Sequence, residues 1–152
     1  MAGFVPGRAA RSEPGLDLAE QKSWQNYLAT VLRMTTVLNR QLTDLHQLTL
    51  ADVQLLEILG DAASGSVRMG DLAGALALLP SRLTRQVRRL EVRGLVLRAV
   101  NPQDRRCVVV TITDMGRNLL GQAMVTYANA VRVYFLAPLS RPQVGVMAVS
   151  CR

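Results

Sequence analysis

Residues 79–93, LPSRLTRQVRRLEVR, followed at once by GLVLR, leave the chain few ways to fold. Wound at 3.6 residues per turn, this stretch puts Leu83, Val87 and Leu90 on one narrow apolar stripe and gathers Arg82, Arg85, Arg88 and Arg89 away from it. Pro80 suits a first helical turn, where no amide hydrogen is needed, and Gly94 suits a left-handed residue just past the end. The spacing predicts a helix with both ends marked, an oily side to bury and a cationic side to leave outside. Charges on such a helix are ordinarily only its wetted face. Here Glu91 is the only acid among them, and like charges at helical spacing repel by roughly a few tenths of a kcal/mol each, so an anionic surface is expected opposite.

The distribution of charge sharpens that expectation. The chain carries a net charge of +7, and residues 82–106 hold eight arginines against only Glu91 and Asp104. A positive patch this concentrated favours polyanions, nucleic acid or an anionic surface, over small acidic substrates. A length of 152 residues fits one domain with a sizeable core, and a 49% apolar composition with few aromatics suits a helix-rich globule packed with Leu, Val, Ala and Met. Catalysis is not expected. There is one His, no Gly-rich phosphate loop and no Cys/His cluster, and the carboxylates are scattered singly, so neither a nucleophile with its base nor a metal site can be assembled, and no cofactor is implied. Cys107 and Cys151 form no disulfide framework. With no secretory leader and no apolar run of membrane-spanning length, a cytoplasmic protein without a membrane partner is expected.

Along the chain, residues 1–15 lack apolar periodicity and read as a flexible arm. Residues 16–47 carry a seam of Leu28, Val31, Thr35, Leu38, Leu42 and Leu45, spaced alternately three and four apart, which predicts a long helix packing on another helix. Trp24, Tyr27 and His46 lie on it as candidate ligand contacts, although aromatics at helical spacing are more often core. Residues 50–61 read as a second helix with Thr49 as N-cap and Leu50, Val53, Leu56 and Ile58 inward. Residues 67–69 suit a very short strand and residues 70–77 a short third helix with Leu72, Ala73 and Leu76 inside. Two short helices joined tightly, the second basic and amphipathic, match a helix-turn-helix, whose second helix enters the major groove of DNA.

Residues 95–100 and 107–112 then read as antiparallel strands around the turn NPQDRR, a hairpin tipped by Asp104, Arg105 and Arg106 whose arginines can reach phosphates or a narrow minor groove. A long helix from Thr113 follows, with Leu119, Ala123, Tyr127, Val131 and Tyr134 roughly on one side. The end of the sequence, with Pro142 and Gly145, is expected to be too short for a strong final helix. The fold class is therefore mainly α with a small β-hairpin. Residues 48–112 read as a winged helix-turn-helix DNA-binding region, flanked by the helices of residues 16–47 and 113–152.

The runs LTLADVQLLEILG, LPSRLTRQVRRLEVRGLVLR, NPQDRR and TITDMGRNLL, in this order, resemble the MarR family of winged-helix transcriptional regulators over about residues 28–139. The resemblance implies dimerisation helices from residues 16–47 and 113–152 and a homodimer that binds a pseudo-palindromic operator in double-stranded DNA, as a repressor responsive to a small aromatic effector. It implies that Ser81, Arg82, Thr84 and Arg85 probe the major groove, beside Arg88 and Arg89 of the same cationic face. Arg105 or Arg106 would enter the minor groove, with Asp104 steadying the wing tip by pairing with an arginine. Many relatives place Ser or Thr where this chain has Leu79, so either Ser81 caps a later helix start, the outcome expected here, or the cap is lost at ~1 kcal/mol. The first helix carries no Cys, so the family's peroxide sensing through that helix is not expected. The competing reading is a basic interaction module that binds an acidic protein or an anionic surface without recognising DNA sequence.

Overall fold

The computed structural model describes residues 15–150. All of the expected N-terminal arm except Gly15, and Cys151, fall outside the described residues. The first helix, α1, spans Leu18–His46 and opens with a reciprocal capping box: Asp17 accepts the Glu20 N–H at 2.9 Å, and Glu20 accepts the Asp17 N–H at 2.8 Å. It ends where Gln47 turns left-handed, at φ 54°. The next helix, α2 (Leu50–Asp61), begins on a second box between Thr49 and Asp52, with Thr49 as the expected N-cap. Of the seam on α1, Leu38 and Leu42 are buried within the chain while Leu28, Val31 and Leu45 remain exposed. On α2 the fully buried residues are Val53, Leu55, Leu56 and Leu59, with Leu50 and Ile58 at the margin.

The short strand β1 (Ser66–Arg68) leads directly into α3 (Met69–Ala75). A tight turn follows in which the Leu78 N–H reaches the Ala73 carbonyl at 3.0 Å and the Ala77 N–H reaches that of Gly74 at 3.2 Å. This double bond pattern places Ala77 in the left-handed region, at φ 51°. The basic helix, α4, runs from Pro80 to Val92 with Leu79 at the N-cap and no side-chain cap. Ser81 therefore lies inside the first turn and does not cap a later start, because Pro80 already supplies the helical φ at the first helical position. At the other end Gly94, at φ 71°, closes the helix as expected, with the Leu95 N–H on the Leu90 carbonyl at 3.0 Å.

The wing is formed by β2 (Val96–Asn101) and β3 (Asp104–Ile112), paired antiparallel. The sheet is larger than the expected hairpin, since β1 pairs with the other edge of β3 and gives a three-stranded order of β1-β3-β2. Leu72, Leu83, Val87, Leu90, Val96 and Val110 meet in a core with the α2 leucines and Ala123. The long helix α5 (Asp114–Val131), capped by Thr113, continues through a π-helical turn at Arg132–Leu136.

The final segment differs from expectation. Arg141–Ser150 forms a ten-residue helix, α6. Its start is built by Ser140 and Gln143, whose Oε1 accepts the Ser140 N–H at 2.8 Å while Ser140 Oγ accepts the Gln143 N–H at 3.4 Å. Pro142 then falls in the first turn, where it does no harm. Among the described residues no helix is long and apolar enough to cross a membrane.

Candidate nucleic-acid interface

The basic helix α4 buries Leu83, Gln86, Val87 and Leu90 and turns Ser81, Arg82, Arg85 and Arg88 outward. Thr84 is half-buried, and its hydroxyl donates to the Pro80 carbonyl at 2.8 Å, so its methyl group is the part left to present. Glu91, the acid nearest in sequence, is taken by Arg98 of β2 in an ion pair at 2.8 Å. Arg82, Arg85 and Arg88 have no acidic partner among the described residues.

At the wing tip Asn101 accepts the Gln103 N–H and Asp104 accepts the Arg106 N–H, both at 3.0 Å through a carboxyl or amide oxygen. Asp104 thus steadies the tip, but through the backbone and not by pairing with an arginine: its carboxylate is folded onto the turn. Arg105 and Arg106 are left exposed, also without an acidic partner among the described residues. A cleft of about 500 Å³ lies between the α3–α4 pair and the wing, with Thr84, Arg98, Asp104 and Arg106 on its walls. Arg82, Arg85 and Arg88 on α4 and Arg105 and Arg106 on the wing are therefore exposed and without an acidic partner among the described residues, as is Arg68, which lines the same cleft.

Arg89 departs from the expected set. Its Nη2 donates to Oδ1 of buried Asp52 at 2.6 Å, and Gln86 Nε2 donates to the same oxygen at 3.1 Å. A carboxylate taken out of water needs a cation beside it, and Arg89 is the one within reach. Arg93 is likewise turned to the scaffold, donating to the carbonyls of Gln47 and His46 at 2.5 and 3.1 Å. Asp52 announced itself in the sequence only as the third residue after a helix cap, and Gln86 as a polar residue intruding on an apolar stripe.

The candidate ligand residues are not brought together. Tyr27 lines an apolar cavity of about 530 Å³ with Val31, Met34, Leu38, Tyr127 and Phe135. Trp24 is outside it, its ring 6.1 Å from that of Tyr27. His46 sits at the far end of α1 with Nε2 2.8 Å from the Thr126 hydroxyl. No residue of the winged region lines this cavity, which lies among α1, α5, the π-helical turn and α6. Met34, Tyr127 and Phe135 carry no signal in the sequence beyond apolar periodicity. Among the described residues no group of three or more His, Cys, Asp or Glu is placed to hold a metal ion.

Known proteins share this arrangement. The sequence model of the MarR family matches residues 48–108, the span from α2 to the wing. An uncharacterised HTH-type transcriptional regulator of Bacillus subtilis, YhbI, is 40% identical over 66 residues, a stretch that spans 43% of each chain. Two solved structures from Streptomyces coelicolor are similar over nearly the whole fold. The MarR-family regulator Sco3205, solved in complex with DNA, is 28% identical with a TM-score of 0.83, the likeness covering 90% of this chain and 89% of that one. AbsC, another MarR-family regulator, is 27% identical with a TM-score of 0.81, over 90% and 92% of the two chains. Residues 48–108 thus match the MarR family model, and the chain as a whole, with its helix-turn-helix, wing and flanking long helices, has the fold of MarR-family winged helix-turn-helix transcriptional regulators.

Proposed function

We propose that this regulator is a cytoplasmic homodimer that binds a pseudo-palindromic operator and represses by occupying it. The observation that carries the reading is the set of five exposed, unpaired arginines: Arg82, Arg85 and Arg88 on α4, and Arg105 and Arg106 on the wing. Each helix of the dimer would lie in one of two successive major grooves about 34 Å apart. The wing arginines would lie against phosphates or in the adjoining minor groove. Base contacts from Ser81, Arg82, Thr84 and Arg85 would choose the site, and phosphate contacts would supply most of the salt-dependent affinity. Residues 16–47 and 113–152 would supply the dimer contact. The DNA complex of Sco3205 supports the same use of the fold.

A small aromatic effector is part of this reading, and the apolar cavity beside Tyr27, about 530 Å³ in volume, is of a size that suits one. Selection of bound duplexes from a random pool at two salt concentrations tests the proposal. A palindromic winner whose affinity falls steeply with salt is the expected result. Binding that never favours one sequence would overturn it and leave a basic module for acidic partners.

A further inference from the structure

Two arginines of the cationic run hydrogen-bond back to the scaffold, Arg89 with its side chain still 53% exposed, and both sets of bonds end on one corner of it. At about 100° per residue Gln86 and Arg89 on α4 and Arg93 at its C-cap fall within roughly 60° of one another. All three meet residues 46–52, where α1 stops and α2 starts. Gln86 and Arg89 converge on Oδ1 of Asp52, whose other oxygen accepts the Thr49 N–H at 2.9 Å. Asp52 is only 1% exposed. One turn further on, Arg93 at the C-cap of α4 holds the carbonyls of His46 and Gln47 at the end of α1. That same end of α1 is joined to α5 through His46 and Thr126. Arg82 and Arg85, in the first half of α4, have no such anchor among the described residues.

We propose that Asp52, Gln86, Arg89 and Arg93 form a latch that sets the angle at which the free half of α4 meets DNA. Arg89 and Arg93 are then positioning residues that govern site discrimination through the scaffold without touching nucleic acid. Swinging Arg89 out to a phosphate would strand a buried carboxylate without its cation, a cost that opposes the exchange. The aliphatic stripe of Leu83, Val87 and Leu90 resists separation of α4 from the core but is non-directional and does little to fix its roll. Directional bonds at two points a turn apart fix roll and tilt together, which base-reading side chains need to within about 0.5 Å. Because Arg93 grips the end of α1 and His46 ties that end to α5, a shift of the long helices is passed directly to the reading helix.

The latch rests on the DNA-binding reading above, and a double-mutant cycle separates the two. Arg89→Gln, Asp52→Asn and the double variant are made in the full chain. Their binding to a duplex selected by the wild type and to a scrambled duplex is followed by fluorescence anisotropy over a range of salt. Arg89→Gln should lower the ratio of specific to non-specific affinity about tenfold, leave the salt slope unchanged, and add little in the Asp52→Asn background. A salt slope smaller by about one, with the same loss in either background, would make Arg89 a phosphate contact and overturn the latch. So would a folded Arg89→Gln with an unchanged ratio. If circular dichroism shows that Arg89→Gln does not fold, Arg93→Gln carries the same test, with the same fall in ratio expected at constant slope and an unchanged ratio overturning the latch. A wild type that enriches no duplex would overturn the regulator reading and the latch with it.

Discussion

Gly116 packs against the carbonyl oxygen of Leu95 so closely that a β carbon placed there would overlap it. The same carbonyl accepts the Thr113 N–H at 3.1 Å, and the Thr113 hydroxyl donates to the Gly94 carbonyl at 2.7 Å. The first turn of α5 is thereby seated on the point where α4 gives way to the wing. Gly116→Ala must push helix and strand apart, since the obstructing atom is backbone and cannot rotate away. The expected loss is about 1–3 kcal/mol, read as a lower urea midpoint at unchanged slope. An unmoved midpoint would mean that α5 does not seat there.

This contact also marks the limit of what the sequence makes legible. Helix α4 could be read to within a residue because a proline, an apolar stripe and a glycine coincide at its ends and along its face. The wing was readable for a similar reason: β-branched runs flank an Asn-Pro turn. The Gly116 contact, the Asp52–Arg89 pair and the third strand join residues far apart in the chain, and no local period encodes them. Helix α6 is a different case. Its Ser140-Gln143 box was present in the sequence but outweighed by Pro142 and Gly145, although a proline in a first helical turn costs nothing. The cationic face was legible as a charge excess, but which arginines stay free depended on where Asp52 and Glu91 came to lie.

The turn between α3 and α4 holds Ala77 at φ 51°, a position usually given to glycine. An alanine there crowds its own carbonyl, at about 1–2 kcal/mol. Ala77→Gly relieves that strain and gives back part of the gain as unfolded-chain entropy, about 0.5–1 kcal/mol. The variant should therefore be more stable by about 0.5–1 kcal/mol, with a higher melting temperature by calorimetry and unaltered circular dichroism. A lower melting temperature would contradict the left-handed turn.

The free arginines should divide by the kind of contact they make. Arg85→Ala is expected to cost about 1–3 kcal/mol on the selected duplex and little on a scrambled one, the signature of a base-edge contact. Arg105→Ala and Arg106→Ala should weaken both duplexes, and the one that meets a phosphate should reduce the salt slope by about one. Gel shifts at four salt concentrations measure both quantities. Equal losses on both duplexes for Arg85→Ala would move it from base reading to backbone contact.

The heptad seam of α1 is used in two ways, and this bears on assembly. Leu38 and Leu42 of the seam are buried against the same chain, while Leu45 near its end and Leu28, at 40% exposure, lie open, as does Leu32 beside the seam at 59%. In the π-helical turn after α5, Val133 and Tyr134 are more than half exposed as well. Apolar side chains at this density are wasted on a solvated monomer and suit a second copy. Leu28→Glu with Leu32→Glu changes only side chains that water already reaches in the protomer, so the folded domain and its melting curve should survive. The charges would oppose pairing, and sedimentation should shift toward the monomer. Loss of the second half-site should then weaken binding to the palindromic duplex by about 10²-fold or more, while binding to a single half-site stays as it was. A double variant that sediments as the wild type would place the dimer contact on another surface.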